Sequence, residues 1–310
     1  MLFENTTPVN SFILLGFSDV PRLHPLLFTI LFLVYMSTLL CNGLIIAIIN
    51  ADHGLHTPMY FFLTHLSVLE VCYTSVTAPK MLENLLVKKP TISYLGCAAQ
   101  MFFFLFFGVA ECFLLASMSL DRYVAICRPL TYQMVMNKKC CIMLLVGSWV
   151  CGSAVALGHT IFIFHLPFCG IVINHFFCEI QPLFELVCGD TFLNEVQVIA
   201  VAVLAIMGPF WMIIFSYSCI LHTIFKMPSS QNRYKAFSTC SSHLLVVTVF
   251  YGTAGFMYLR PKSSYVPSTD KLLSLFYAVV TPLLNPVIYS LRNQEFKGAI
   301  KKLWKKYLSH

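Results

Sequence analysis

Residues 25–51 read PLLFTILFLVYMSTLLCNGLIIAIINA, without one Asp, Glu, Lys or Arg. A helix of that length covers about 40 Å at roughly 1.5 Å per residue, more than the hydrocarbon thickness of a bilayer. The same reading extends outward along the chain. Stretches 140–178, 196–225, 236–259 and 272–291 are also free of charged side chains. Two more apolar stretches each carry one acid: 57–79 holds Glu70 and 90–120 holds Glu111. The stretch 140–178 is too long for one crossing, so it holds a helix and the start of a loop.

These stretches predict an all-α membrane protein, a seven-transmembrane helix bundle. The spans fall at about 25–51, 57–79, 94–127, 140–164, 193–226, 234–259 and 271–292, between an N-terminal segment 1–24 and a C-terminal segment 293–310. Apolar runs of this length exclude a β-barrel, whose strands alternate over about ten residues. Composition excludes the other classes. Apolar residues make up 58% of the 310, charged residues only 11%, and mean hydropathy is +0.78. A disordered chain needs the opposite balance, and one water-soluble core could not hide so much apolar surface. No cleavable signal peptide is expected in 1–24, which contains Glu4 and Asp19. No internal repeat stands out, which argues against a transporter built from duplicated halves.

An odd number of spans puts the two ends on opposite faces. Seven Lys and Arg fall on the face of the N-terminal segment and thirteen on the other. The positive-inside bias makes the second face cytoplasmic, in a multi-pass protein of the plasma membrane. Asn5-Thr6-Thr7 is a glycosylation sequon on the outer side. Four of the thirteen cysteines, Cys97, Cys169, Cys178 and Cys188, also fall outside. They allow three pairings, and spacing does not choose among them. No Cys or His grouping has metal-site spacing.

Polar side chains inside the spans are functional candidates, because burial in lipid is costly. Glu70 and Glu111 sit near the middle of spans two and three, Asn42 in span one and Asn285 in span seven. They read either as inter-helix hydrogen bonds or as an internal site for Na⁺ or a shared proton. Asp121-Arg122-Tyr123 lies at the inner end of span three, 25 residues from Cys97 and therefore about 37 Å along one helix. That helix carries an outer cysteine at one end and an inner arginine at the other.

Five strings in order resemble the odorant (olfactory) receptors, a family of rhodopsin-like G-protein-coupled receptors. They are Leu55-His56-Thr57-Pro58-Met59-Tyr60-Phe61-Phe62-Leu63, Ser119-Leu120-Asp121-Arg122-Tyr123-Val124-Ala125-Ile126-Cys127, Ser216-Tyr217, Lys235-Ala236-Phe237-Ser238-Thr239-Cys240-Ser241-Ser242-His243-Leu244 and Pro282-Leu283-Leu284-Asn285-Pro286-Val287-Ile288-Tyr289-Ser290. Leu120 and Glu70 depart from the family's usual Tyr and Asp. The inner end of span six carries Arg233 and Lys235 and no acid, so Arg122 is expected to face Asp121 and not span six.

The resemblance implies disulfides Cys97–Cys178 and Cys169–Cys188, and a coupling set of Asp121, Arg122, Tyr123, Tyr217, Asn285, Pro286 and Tyr289. It implies a small volatile odorant as ligand and a stimulatory, olfactory-type heterotrimeric G protein as partner, raising cAMP. The ligand cavity is expected between helices in the outer half. Its candidate lining is Phe104, Leu105, Gly108, Val109 and Cys112 on span three, with Ala202, Ala205 and Ile206 on span five. Tyr251, Gly255 and Tyr258 on span six and Ala278 on span seven complete it. His159 in span four is either a ligand donor or a packing residue.

Beyond span seven, Phe296, Ile300, Leu303 and Trp304 share one helical face among lysines, which predicts a short C-terminal amphipathic helix on membrane lipid. An enzyme is not expected, since HExxH, GxSxG and phosphate loops are missing, and no nucleic-acid partner is implied. A retinal protein is excluded, because residues 272–291 contain no lysine for a Schiff base. The alternatives are the same architecture sensing a non-volatile or non-olfactory ligand, and an ion-conducting protein.

Overall fold

A computed structural model describes residues 9–189, 191–258, 267–292 and 296–302. Its helices are α1 (His24–Ala51), α2 (Pro58–Leu86), α3 (Tyr94–Cys127), α4 (Tyr132–Val135), α5 (Lys138–Phe164), α6 (Ile180–Phe184), α7 (Phe192–Lys226), α8 (Ser230–Tyr258), α9 (Pro267–Leu275) and α10 (Thr281–Arg292). A π-helical segment, Phe276–Val280, joins α9 to α10 as one rod, and 296–302 is again helical. The long elements α1, α2, α3, α5, α7, α8 and the α9–α10 rod form a seven-helix membrane bundle.

Local chemistry sets the ends of these helices. The Ser93 hydroxyl accepts from the Gly96 amide at the start of α3, and Asn137 Oδ1 accepts from the Cys140 amide at the start of α5. Pro58 opens α2 at a position that needs no amide proton. The apolar stretch 57–79 predicts an end of span two at Pro79, but α2 runs through it to Leu86. Pro209 and Pro286 likewise lie inside helices. Inside a membrane bundle, neighbouring groups compensate the lost backbone bond.

Six of the long helices, counted among the described residues, are apolar enough to cross a membrane on composition alone. The exception is α8, whose first half carries Ser238, Thr239, Ser241, Ser242 and His243. Some 61% of the apolar window of α3 is buried in the bundle, against 22% for α1, α5 and α7. Helix α3 is thus the central post, and the other three turn large apolar faces such as Leu40, Val150 and Phe215 outward to lipid. Helices α3 and α5 pack closely. A Cβ on Gly152 would lie 2.6 Å from the Phe106 carbonyl oxygen, so only glycine fits there.

At one end of the bundle, strand β1 (Ser11–Leu14) pairs antiparallel with β2 (Thr91–Ser93) and parallel with β3 (Val172–Ile173). The linear sequence offered no sign of this small sheet. Phe12, Leu14 and Ile173 are fully buried in it, beside Cys97 and Met101. Disulfides Cys97–Cys178 and Cys169–Cys188, with Cα separations of 5.4 and 5.3 Å, pin the long loop between α5 and α7 across the same end. Gln100 adds to this closure by donating to Val76 O at 3.0 Å and accepting from the Cys178 amide at 3.0 Å.

At the opposite end, Lys302 donates to Asp52 Oδ1 at 2.9 Å, tying the segment 296–302 to the end of α1. Phe296 and Ala299 are buried against the bundle, while Ile300 is exposed. Leu303, Trp304 and Asn5 lie outside the described residues.

Candidate functional site

Below the disulfide-pinned loop lies a cavity of about 480 Å³. Helix α3 supplies Phe104, Leu105, Gly108, Val109 and Cys112 to its wall, and α7 supplies Ala202, Ala205 and Ile206. A Cβ on Gly108 would meet nothing closer than Tyr73 Cε2 at 3.8 Å, so this glycine leaves open volume where a larger residue would project. Val155 and His159 on α5 also line the space. The loop helix α6 roofs it with Ile180 and Phe184, and Glu185 follows at the rim.

The other two helices present different residues from those expected. On α8 the wall is Phe250, Thr253 and Ala254, and neither Tyr251 nor Gly255 lines the cavity. Tyr251 is turned toward α3 and donates its hydroxyl to the Cys112 carbonyl at 3.2 Å. One residue along a helix is about 100° of rotation, so the face was misjudged by a single position. The side chain of Tyr258 lies outside the described residues. On the last rod the wall is Tyr277, Thr281 and Pro282, and Ala278 is fully buried elsewhere. The π segment explains this: its extra residue per turn shifts the facing positions. Nothing in the sequence marks that turn.

Glu70 and Glu111 border the cavity from α2 and α3. Asn285 on α10 donates to Glu70 Oε1, and its amide nitrogen also lies 3.3 Å from Glu111 Oε1. Asn285 thus brings the two buried carboxyl groups, one from each helix, to a single amide. Glu70 Oε2 and Asn285 Oδ1 are buried without a protein partner. On its other side, Asn42 ties α1 to the same rod, donating to Pro282 O at 3.3 Å.

Toward the end opposite the disulfides, Asp121 is fully buried and accepts from the Tyr132 hydroxyl at 2.8 Å. The expected pairing of Asp121 with Arg122 does not occur as an ion pair among the described residues: Tyr132 on α4 occupies Asp121 Oδ1, and Arg122 Nε is buried without a partner. Burial, with the Asp121 carboxyl beside it, holds the Tyr132 phenol above its ordinary range, so it stays a donor.

Tyr217, Tyr289 and Arg122 lie within electrostatic reach of one another, with Asp121 nearby. The Tyr289 hydroxyl is buried without a protein partner. Tyr123 is half-buried and Pro286 buried in the same region. His243, which the sequence marks only as part of a family string, bonds Tyr217 at 2.8 Å and the Leu115 carbonyl at 3.1 Å. Its signal is a titratable ring inside a predicted span, as with Glu70 and Glu111.

Comparison with known proteins gives a consistent result. The sequence profile described as olfactory receptor matches residues 31–306. Human olfactory receptor 10C1 is 56% identical over 299 residues, covering 96% of this chain and 96% of its own. Human olfactory receptor 10A7 is 51% identical over 303 residues, covering 97% of this chain and 96% of its own. Among solved structures, squid rhodopsin superposes with a TM-score of 0.67 at 16% identity, covering 93% of this chain and 87% of that one. That likeness concerns the fold alone.

Proposed function

The chain belongs to the olfactory receptor family, multi-pass signalling receptors and not enzymes, and from that premise we propose that it binds a volatile odorant in the cavity beneath the disulfide-pinned loop and raises cAMP through a stimulatory, olfactory-type G protein. The cavity end is extracellular and the Arg122 end cytoplasmic, in line with the excess of lysine and arginine on that side. The observation that carries the reading is the continuity of α3. One helix holds the cavity wall at Phe104 and Gly108 and, farther along, the Asp121-Arg122 pair.

A volatile molecule that loses about 200–300 Å² of apolar surface gains roughly 5–8 kcal/mol at about 25 cal/mol per Å². Association entropy removes several kcal/mol of that, so affinities are micromolar or weaker. Occupancy signals only if one helix arrangement binds the odorant better than the other. Contacts with Phe250, Thr253 and Tyr277 bias α8 and the last rod. Their opposite ends then rearrange around Arg122, Tyr217 and Tyr289, and a cleft admits the C-terminal helix of the G-protein α subunit. The buried oxygens Glu70 Oε2 and Asn285 Oδ1 fit a Na⁺ ion or a proton shared within the carboxyl pair, which steadies the resting arrangement. The segment 296–302, with Lys297 and Lys301, lies against anionic lipid.

The test is Arg122→Ala, read as surface expression and cAMP response to an odorant panel. Expression kept with the response lost supports the reading, and an undiminished response refutes it. Gly108→Phe, which fills the cavity, is expected to abolish the response at unchanged expression. Replacing Na⁺ by a large organic cation is expected to shift the concentration–response curve of the native receptor and not that of Glu70→Gln.

A further inference from the structure

Several polar groups of the cavity wall spend their protons on acceptors within the protein. His159 is 93% buried, and its Nδ1 lies 2.9 Å from the Val155 carbonyl oxygen. A carbonyl only accepts, so Nδ1 carries a proton, and in the tautomer with that single proton Nε2 is an acceptor. The single proton of Thr253 lies between Val249 O at 2.8 Å and Phe250 O at 2.9 Å. Thr191 donates to Glu195 Oε1 at 2.7 Å, and Tyr277 to Glu179 Oε1 at 2.7 Å. Among the described lining residues, Glu70, Glu111, Glu185 and Glu195 carry carboxyl groups and none is Lys or Arg. Gln181, the one amide of the wall, is exposed on the roof helix.

We propose that the cavity selects neutral ligands whose polar end donates a hydrogen bond, alcohols or phenols, and that Nε2 of His159 accepts that proton. The proposal rests on the reading of this cavity as the odorant site. An ether, ester or aldehyde would set lone pair against lone pair and leave both unpaired. A carboxylate would enter a space lined by carboxyl groups with no cation to meet it. For an ammonium, Glu70 and Glu111 already bond Asn285 and Glu195 accepts from Thr191, while Glu185 at the rim is the remaining carboxyl, so the amine is the member of the series that tests the neutral preference most sharply. A hydroxyl end needs only the one acceptor that His159 offers, and the remaining wall is mostly apolar.

The experiment is a matched series on one carbon skeleton (primary alcohol, methyl ether, aldehyde, carboxylic acid and amine), read as cAMP concentration–response in cells expressing the tagged receptor. The alcohol is expected to lead every other member by about tenfold or more in potency. In His159→Phe that lead is expected to fall to within about threefold at unchanged surface expression. In His159→Lys, a cationic donor in the same place, the acid becomes the better ligand. If neither variant reaches the surface, the native series decides. An ether, aldehyde, acid or amine ahead of the alcohol overturns the proposal, as does an alcohol lead that survives His159→Phe. A response that persists in Gly108→Phe removes the cavity as the odorant site. A response lost in Gly108→Phe but led by a non-donor leaves the site standing and removes only its proposed selectivity.

Discussion

The hydroxyl of Tyr217 on α7 lies 2.8 Å from Nδ1 of His243 on α8, and the opposite ring nitrogen of His243 reaches the Leu115 carbonyl of α3 at 3.1 Å. With its proton on Nε2, the ring accepts from Tyr217 and donates to Leu115, so one imidazole joins three helices. It does so beside Tyr289 and Arg122, the groups through which the bundle is proposed to signal. His243 is fully buried, and water cannot replace either partner.

Replacing His243 with Phe should therefore lower receptor stability by about 1–3 kcal/mol, the cost of leaving a buried polar partner unpaired. Tyr217→Phe should cost a similar amount. The double variant should cost clearly less than the sum, because the shared bond is lost only once. Thermal unfolding of the purified receptor measures all three, and strict additivity would show that the two residues are uncoupled.

Tyr132→Phe removes the donor that meets Asp121 Oδ1 at 2.8 Å and leaves that carboxyl with neither oxygen partnered by a side chain. The expected loss is about 1–3 kcal/mol, concentrated at the junction of α3 and α4. Hydrogen exchange should show faster exchange at 128–136 than in the native receptor, with the cavity end unchanged. Equal exchange in the two proteins would argue that the contact contributes nothing.

Gly152→Ala should destabilise the bundle by about 1–3 kcal/mol, since its Cβ would meet Phe106 O at 2.6 Å and Ala110 N at 3.1 Å, both backbone atoms that cannot step aside. Gly158→Ala on the same helix has open space around it and should be neutral or stabilising by up to about 1 kcal/mol through helix propensity. Melting temperatures of the two variants test the contrast, and a melting temperature for Gly152→Ala at or above the native value would contradict it.

The bond from Lys302 holds the Asp52 carboxyl below its ordinary value of 3.8, with the Gly54 amide adding to the effect. A depressed carboxyl stabilises docking of the segment 296–302 above its unfolded-state value and loses that contribution as pH falls through the depressed one. Exchange protection of 296–302 in lipid nanodiscs should thus stay constant from pH 8 to about pH 5 and fall only in stronger acid. Lys302→Ala should lower protection at neutral pH and flatten the acid limb; an unchanged acid limb would assign it to other groups.

The reach of the sequence can be judged element by element. The run 25–51 and its six counterparts determined a seven-helix membrane protein, because backbone satisfaction in lipid leaves few options and the length of a crossing is set by the bilayer. The small residues of span three marked the cavity wall correctly at Gly108 and Cys112, because α3 is regular and its faces follow from a fixed rotation per residue. The same rule places Tyr251 one position away from the cavity face on α8, and depth alone, which selects Ala278 on the last rod, does not tell which side of that rod faces the cavity.

What the sequence determined alone was therefore periodic and local: spans, polar residues held in lipid, and the strings that mark the family. What only the tertiary structure decided was which groups meet. The Asp121 partner is Tyr132 and not Arg122, His243 joins three helices, and the His159 proton points at its own backbone. The physical reason is that a side chain's hydrogen-bonding character toward a ligand is what remains after its neighbours have taken their share, and those neighbours come from distant parts of the chain.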